Sequence, residues 1–254
     1  MGRLDDRVAI ITGAGSGIGK ATAELFGAEG AAVSVVDVRG DAAEAVADGI
    51  RSAGARAIGI SADVSNPSDA ERLVEETMSA FGAVHVLHSN AAVLIPGSVT
   101  SLSIEDWNRT LAVNLTGAFL CSKFAIPRII ASGGGSVIIT ASTDGIVGEP
   151  QTAAYCASKG GLVLLTKQMA LDYARDGVRV NCLCPGWIDT PFNDPFIDAI
   201  GGREGLGPLI DTFVPLGRQG RPDEVARAAL FLASDDASLV TGHALVVDAG
   251  LTAQ

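Results

Sequence analysis

The sequence predicts an α/β protein built as one doubly wound, seven-stranded parallel sheet with helices on both faces. Two observations carry that prediction. Short β-branched runs, of the kind buried on both faces of a parallel sheet, alternate with helical stretches along the whole chain. The first such run leads straight into a glycine-rich turn that opens a helix, giving a β-turn-α-β unit at the start. At 254 residues the chain fits one large domain, and no internal repeat or linker divides it.

The elements follow in order. Residues 8–11 (Val-Ala-Ile-Ile) form the first strand and enter Thr12-Gly13-Ala14-Gly15-Ser16-Gly17-Ile18-Gly19. A helix over 20–29 is stopped by Gly30, and 32–36 is the second strand. Helix 41–53, strand 56–60 and a helix opened by Asn66-Pro67 continue the alternation, and strand 84–87 runs into His88-Ser89-Asn90-Ala91-Ala92. Strand 137–140 precedes a long helix that carries Tyr155 and continues over 162–174. Strand 178–183 ends at Cys184-Pro185-Gly186. From 189 to 215 periodicity is lost among Pro191, Pro195, Gly201, Gly202, Gly205, Gly207 and Pro208, which reads as a mobile lid. A helix over 221–233 and a strand over 243–247 close the fold, with expected strand order 3-2-1-4-5-6-7.

Two stretches carry chemistry. In the first turn, backbone N–H groups can approach a pyrophosphate, and the helix N-terminus favours its charge. The spacing is G-x-x-x-G-x-G through Gly13, Gly17 and Gly19, with Ile18 where the commoner G-x-G-x-x-G pattern has its last glycine. Asp37, at the end of the second strand, is placed to accept hydrogen bonds from ribose hydroxyls and to repel a 2′-phosphate. Neither Ser16 nor Val38 offers a cation to hold one, so the expectation is NAD over NADP. Arg39 is read as an exposed residue on a solvated turn. Asp63 fits two readings equally, a turn cap and a contact to the adenine amine.

The second stretch is Tyr155-Cys156-Ala157-Ser158-Lys159, which puts a phenol and an ammonium on one helix face. A nearby cation stabilises a phenolate, so Tyr155 becomes a candidate general acid/base. The same spacing also occurs in ordinary helices with the ring packed and the amine in water; the company the pair keeps decides.

That company resembles the short-chain dehydrogenase/reductase family over essentially the whole chain. The residues that carry the resemblance are Thr12-Gly13-x-x-x-Gly17-x-Gly19, Asn90-Ala91, Ser142 and Tyr155-x-x-x-Lys159, with Ala92 in place of the family's usual glycine. The resemblance implies a Rossmann fold and a catalytic set of Asn114, Ser142, Tyr155 and Lys159. Ser142 would orient the substrate oxygen, and Lys159 would lower the phenol pKa and hold the nicotinamide ribose. The backbone carbonyl of Asn114 would hold a water in a proton relay. It also implies a nucleotide site made of Gly13, Ser16, Gly17, Ile18, Gly19, Asp37, Asp63, Val64, Asn90, Ala91, Tyr155, Lys159, Pro185, Gly186, Ile188 and Thr190.

The expected function is NAD-dependent interconversion of a secondary alcohol and a ketone. The alternatives are an NADPH-dependent reductase of 3-oxoacyl thioesters and a non-catalytic nucleotide-binding scaffold. Lid aromatics Phe192 and Phe196, with residues 93–97, 143–151 and Trp187, would wall the substrate. Glu149 is taken as the one charge in that wall, with two readings, recognition of a substrate hydroxyl or amine and a side chain pointing to water, of which water is preferred. Eighteen basic against 29 acidic residues, a net charge of −11, oppose nucleic acid as a partner. No leader-like or membrane-length apolar run is read, so a cytoplasmic enzyme is expected, assembled as a homotetramer as the family commonly is. Cys121, Cys156, Cys182 and Cys184 are read as reduced core residues, with no metal site.

Overall fold

Seven short parallel strands form the floor of the molecule. The computed structural model describes residues 2–253. Strands β1 (Val8–Thr12), β2 (Ala32–Asp37), β3 (Ala57–Ser61), β4 (Val86–Ser89), β5 (Gly135–Thr140), β6 (Val178–Pro185) and β7 (Ala244–Val247) pair in the order β3-β2-β1-β4-β5-β6-β7. The order reverses between β1 and β4, and a crevice opens there at the carboxyl ends of the strands. Every position of β1 and β2 is buried, which is why both are written mostly in Val, Ile and Ala, with Thr12, Ser34 and Asp37 as the polar exceptions. Their register sets Thr12 opposite Val36, so the glycine turn and Asp37 emerge at the same edge.

Helices α1 (Gly17–Ala28), α2 (Gly40–Ser52), α3 (Pro67–Phe81), α4 (Ile104–Leu111), α5 (Gly117–Ala131), α6 (Ala153–Tyr173), α7 (Asp194–Ala199), α8 (Arg203–Phe213) and α9 (Pro222–Ala233) connect them. On one face Phe26, Val46, Ile50 and Leu230 pack with Ile11, Val33, Val35 and Ile138. On the other, Leu73, Ile126, Ile129, Leu162 and Met169 pack with Ile10, Val36, Leu87 and Ile139. Each fully buried Leu or Ile is worth about 1.5–3 kcal/mol of transfer free energy. Local signals agree with this packing: Asn66 accepts the N–H groups of Ser68 and Asp69 at the start of α3, with Pro67 where no N–H is required.

Most expected boundaries shift by one to three residues. Two differences are larger. Between α4 and α5 the chain adopts a π-helical segment, Ala112–Thr116, which no periodicity announced. The continuous stretch Ile104–Ala131 is also long and apolar enough to cross a membrane by length and composition, yet half of its apolar window is buried inside the fold. The second difference is 189–215, which is mostly helical rather than irregular. A turn at Pro191–Asn193 leads into α7 and α8, with Gly201 and Gly202 in left-handed conformations between them. Pro195 sits in the first turn of α7, where its missing N–H costs nothing. Pro208 lies inside α8, and burial of Ile197, Leu206, Ile210 and Val214 offsets its cost.

Candidate active site

The crevice deepens into a cavity of about 560 Å³. Its nucleotide end is shaped by backbone. Gly13 and Gly17 have φ of +63° and +54°, a region that favours glycine. A Cβ on Gly13 would stand 2.8 Å from the Cα of Ala91, so the bare turn also lets the exit of β4 pass against it. Asn90 stitches the two together: its N–H donates to Thr12 Oγ1 at 2.9 Å, and its Nδ2 donates to the Thr12 and Gly13 carbonyls at 3.0 and 3.3 Å. No side chain caps α1, and no acidic residue lies in its first turn. The free N–H groups at its N-terminus, beside Ser16, Gly17 and Ile18, therefore suit a pyrophosphate.

Asp37, 7 % exposed, fixes the next part of the site. One carboxylate oxygen accepts the Gly15 N–H at 2.9 Å and the other accepts the Arg39 N–H at 3.0 Å, with lone pairs left for hydroxyl donors. Arg39 is exposed, as expected, and it also lines the cavity. Its guanidinium leans along the cavity edge, with Nε 3.5 Å from Asp37 and Nη2 donating to Ser16 Oγ at 3.3 Å. Asp63 resolves toward the turn cap, accepting the N–H and hydroxyl of Ser65 at 2.9 and 2.7 Å, while it and Val64 still line the far end. Gly19 does not face the cavity. A Cβ there would overlap the Gly13 carbonyl oxygen, so this glycine serves the packing of α1 under the turn.

Pro185, Gly186, Ile188 and Thr190 line the opposite wall beyond β6. Gly220 donates to the Trp187 carbonyl at 2.8 Å and accepts from Asp189 at 2.9 Å. That bridge leaves the N–H and C=O of Ile188 facing away from Gly220, and the C=O accepts from Asn193 Nδ2.

Ser142, Tyr155 and Lys159 meet on this same cavity. Gly145 makes the approach possible, since a Cβ there would stand 2.7 Å from the Lys159 carbonyl oxygen. Lys159 is 2 % exposed, and its Nζ donates to the Thr140 carbonyl at 2.7 Å. An ammonium carries three donors, so capacity remains for ribose hydroxyls. Nζ lies 5.3 Å from the centroid of the Tyr155 ring. Burial lowers the Lys159 pKa to about 8. Tyr155 moves upward: burial dominates, the negative charge of Asp144 adds to it, and a hydrogen bond with Ser142 opposes it. The expected net lowering of the phenol by Lys159 is therefore not seen, because burial and the Asp144 charge outweigh the influences that favour the phenolate.

Asn114 does not line the cavity. It lies in the π-helical segment, where its Oδ1 accepts the Val93 N–H at 2.8 Å and its Nδ2 donates to the Val93 carbonyl and Ser158 Oγ. Its side chain thus pins the chain beyond β4 to the catalytic helix. Below the site, Thr140 Oγ1 donates to Asn90 Oδ1 at 3.1 Å and lies 2.9 Å from His88 Nε2. An amide oxygen only accepts, so the Thr140 hydroxyl gives its proton to Asn90 and takes one from His88 Nε2–H. Burial lowers the His88 pKa to about 3, which keeps the ring neutral.

The substrate end is walled by Val93, Leu94, Trp187, Phe192 and Phe196. Phe192 lies 5.9 Å from the Tyr155 ring, and Phe196 packs edge-on to Trp187 at 5.3 Å. Two carboxylates interrupt this apolar wall. Glu149 faces the cavity rather than standing clear of it, and Asp144, which the sequence reading missed, joins it. The signal for Asp144 was its place two residues after Ser142. Burial and the Glu149 charge raise its pKa to about 6, and burial raises Glu149 as well. All four cysteines are free; Cys156 is half-buried rather than core, with Sγ 3.1 Å from Thr152 Oγ1. Among the described residues no three His, Cys, Asp or Glu side chains come together to hold a metal.

Comparison with known proteins places this geometry. A family model described as enoyl-(acyl carrier protein) reductase matches residues 13–252. Cyclohexanol dehydrogenase of Acinetobacter sp. (strain SE19) is 42% identical over 255 residues, covering 99% of this chain and 97% of that protein. Meso-2,3-butanediol dehydrogenase of Serratia marcescens is 40% identical over 251 residues, covering 99% and 96%. The crystal structure of levodione reductase superposes with a TM-score of 0.95 at 34% identity, covering 98% of this chain and 99% of that one. With likeness running end to end in both sequence and structure, the chain belongs to the short-chain dehydrogenase/reductase family, oxidoreductases that work with a nicotinamide cofactor.

Proposed function

We propose that this protein interconverts a secondary alcohol and a ketone with NAD, using Tyr155 as the general acid/base. The observation that supports this most is the sharing of one cavity by Ser142, Tyr155 and Lys159 at one end and the Asp37 carboxylate at the other. The relatives named for cyclic alcohols and diols support a small secondary alcohol as the substrate.

Bound NAD supplies the hydride acceptor for oxidation and, when reduced, the donor for reduction. The chain's own residues do the rest. Ser142 Oγ hydrogen-bonds the reacting oxygen and stabilises its developing charge. Tyr155, kept protonated by burial, is ready to give a proton to a ketone oxygen; in the oxidative direction it must first lose that proton. Lys159 offers its remaining donors to the ribose and its charge to the developing phenolate. Asn114, through its backbone, belongs to a proton path to solvent. The turn Pro191–Asn193 and helices α7 and α8 act as a lid, and Phe192 in that turn excludes water from the phenol.

Asp37 supports NAD because its carboxylate accepts hydroxyl donors and repels a 2′-phosphate. The position of Arg39 beside Ser16 favours a second reading, in which NADP is also used. Exposed Phe119, Leu164 and Leu171 support assembly as a homotetramer, checked by light scattering on an eluting peak.

The test is reduced-nucleotide formation with NAD or NADP and a panel of secondary alcohols. Turnover with NAD at low nucleotide concentration is expected. Turnover with NADP alone would overturn the role of Asp37, and none with either would overturn the function.

A further inference from the structure

The two carboxylates of the substrate wall have no task in the proton chemistry just described. Asp144 Oδ1 accepts from Thr143 Oγ1 only at 3.5 Å, and among the described residues no hydrogen bond or ion pair engages the Glu149 side chain. Half-buried carboxylates with so few donors are costly to keep charged, and burial raises the pKa of both. They stand on the cavity onto which Tyr155 and Ser142 open, two polar side chains more than nine-tenths buried. The other walls there are Val93, Leu94, Trp187 and Phe192, which offer no side-chain acceptor. Of the cations lining the cavity, Lys159 is hydrogen-bonded to Thr140 and acts on Asp144 through its charge alone, Arg39 lies at the nucleotide end, and Arg109 stands exposed at the rim. Among the described residues none of these cations hydrogen-bonds either carboxylate, and the occupant is a partner able to bring a donor to them.

We propose that Asp144 and Glu149 are specificity residues that select alcohols carrying a second hydrogen-bond donor, a hydroxyl or an ammonium, and exclude alcohols carrying a carboxylate in that place. This rests on reading the cavity as an alcohol dehydrogenase site. The physical basis is asymmetric. A donor on the substrate gains a charge-assisted hydrogen bond, an alcohol without one leaves the carboxylates unpaired on closure, and an anion meets direct repulsion.

The experiment compares four substrates of one ring shape with NAD: cyclohexanol, cyclohexane-1,2-diol, 2-aminocyclohexanol and 2-hydroxycyclohexanecarboxylate. The quantity is kcat/KM relative to cyclohexanol at one pH, a ratio in which any common effect on Tyr155 cancels. The diol, the amino alcohol or both should exceed cyclohexanol by roughly tenfold to hundredfold, and the hydroxy acid should fall below it. Asp144→Ala and Glu149→Ala should bring these ratios toward one. Asp144→Asn keeps an acceptor but loses the charge, so it should spare an advantage due to hydroxyl and abolish one due to ammonium. It also serves where the alanine variant does not fold. Ratios near one in the parent enzyme, ratios unchanged in the variants, or a hydroxy acid that outruns cyclohexanol would each overturn the assignment while leaving the dehydrogenase reading intact. No oxidation of any alcohol with NAD or NADP would overturn that reading and this one with it.

Discussion

The two ends of the cavity are built from different materials. At the nucleotide end the decisive features are backbone: left-handed Gly13 and Gly17, the uncapped start of α1, and the Asn90 amide bound to main-chain carbonyls. At the substrate end they are side chains: the rings of Phe192, Trp187 and Phe196 and the carboxylates of Asp144 and Glu149. Backbone geometry tolerates few residue types, whereas a wall of side chains can be exchanged without moving a strand. The contrast teaches that one fold can hold its cofactor fixed while its substrates change.

The largest expected effect lies where the two ends meet. Tyr155→Phe should cut turnover by about 10²–10⁴-fold, the usual range for a lost general acid/base, while nucleotide affinity measured by calorimetry stays close to the parent value. A parallel loss of binding would show that the ends are not separable. Asp37→Ser should reduce kcat/KM for NAD by roughly tenfold to hundredfold, through loss of charged hydrogen bonds, and should raise the relative use of NADP. An unchanged ratio of NAD to NADP would transfer cofactor choice to other residues. Gly19→Ala should cost about 1–3 kcal/mol in denaturant unfolding, because the added methyl meets a backbone carbonyl that cannot move aside.

The smallest effect sharpens the substrate side. The Asp144 charge favours the neutral phenol, so Asp144→Asn removes a negative charge and lowers the Tyr155 pKa. The rise of alcohol oxidation with pH should then begin at lower pH than in the parent enzyme, as read from kcat/KM profiles. A profile that stays in place, or moves to higher pH, would break the link between the wall and the phenol.

The same contrast governs what can be read from sequence. The strand order and the glycine turn were legible because β-branched runs and left-handed positions restrict composition. Asp37 was legible because it follows a strand by a fixed register. The lid helices were not: Pro195, Pro208 and paired glycines look like breakers, and only the packing of Ile197, Leu206 and Ile210 shows that helix wins. Asp144 was hidden by its ordinary position in a turn, since burial of a carboxylate is a tertiary fact. The direction of the Tyr155 shift is hidden for the same reason, because burial and the Asp144 charge, both tertiary facts, set it.

Thr140 gives both ends a common hinge-pin. Its hydroxyl steadies the Asn90 amide that holds the glycine turn, and its carbonyl anchors the Lys159 ammonium. A substitution there removes the hydroxyl that steadies Asn90 and leaves the backbone carbonyl in place, so the glycine turn loosens while the lysine keeps its anchor. New substrates can arise through the lid and the acidic wall, and new cofactor preferences through Asp37 and Arg39. The residue that ties the two together is the one such a lineage should leave alone.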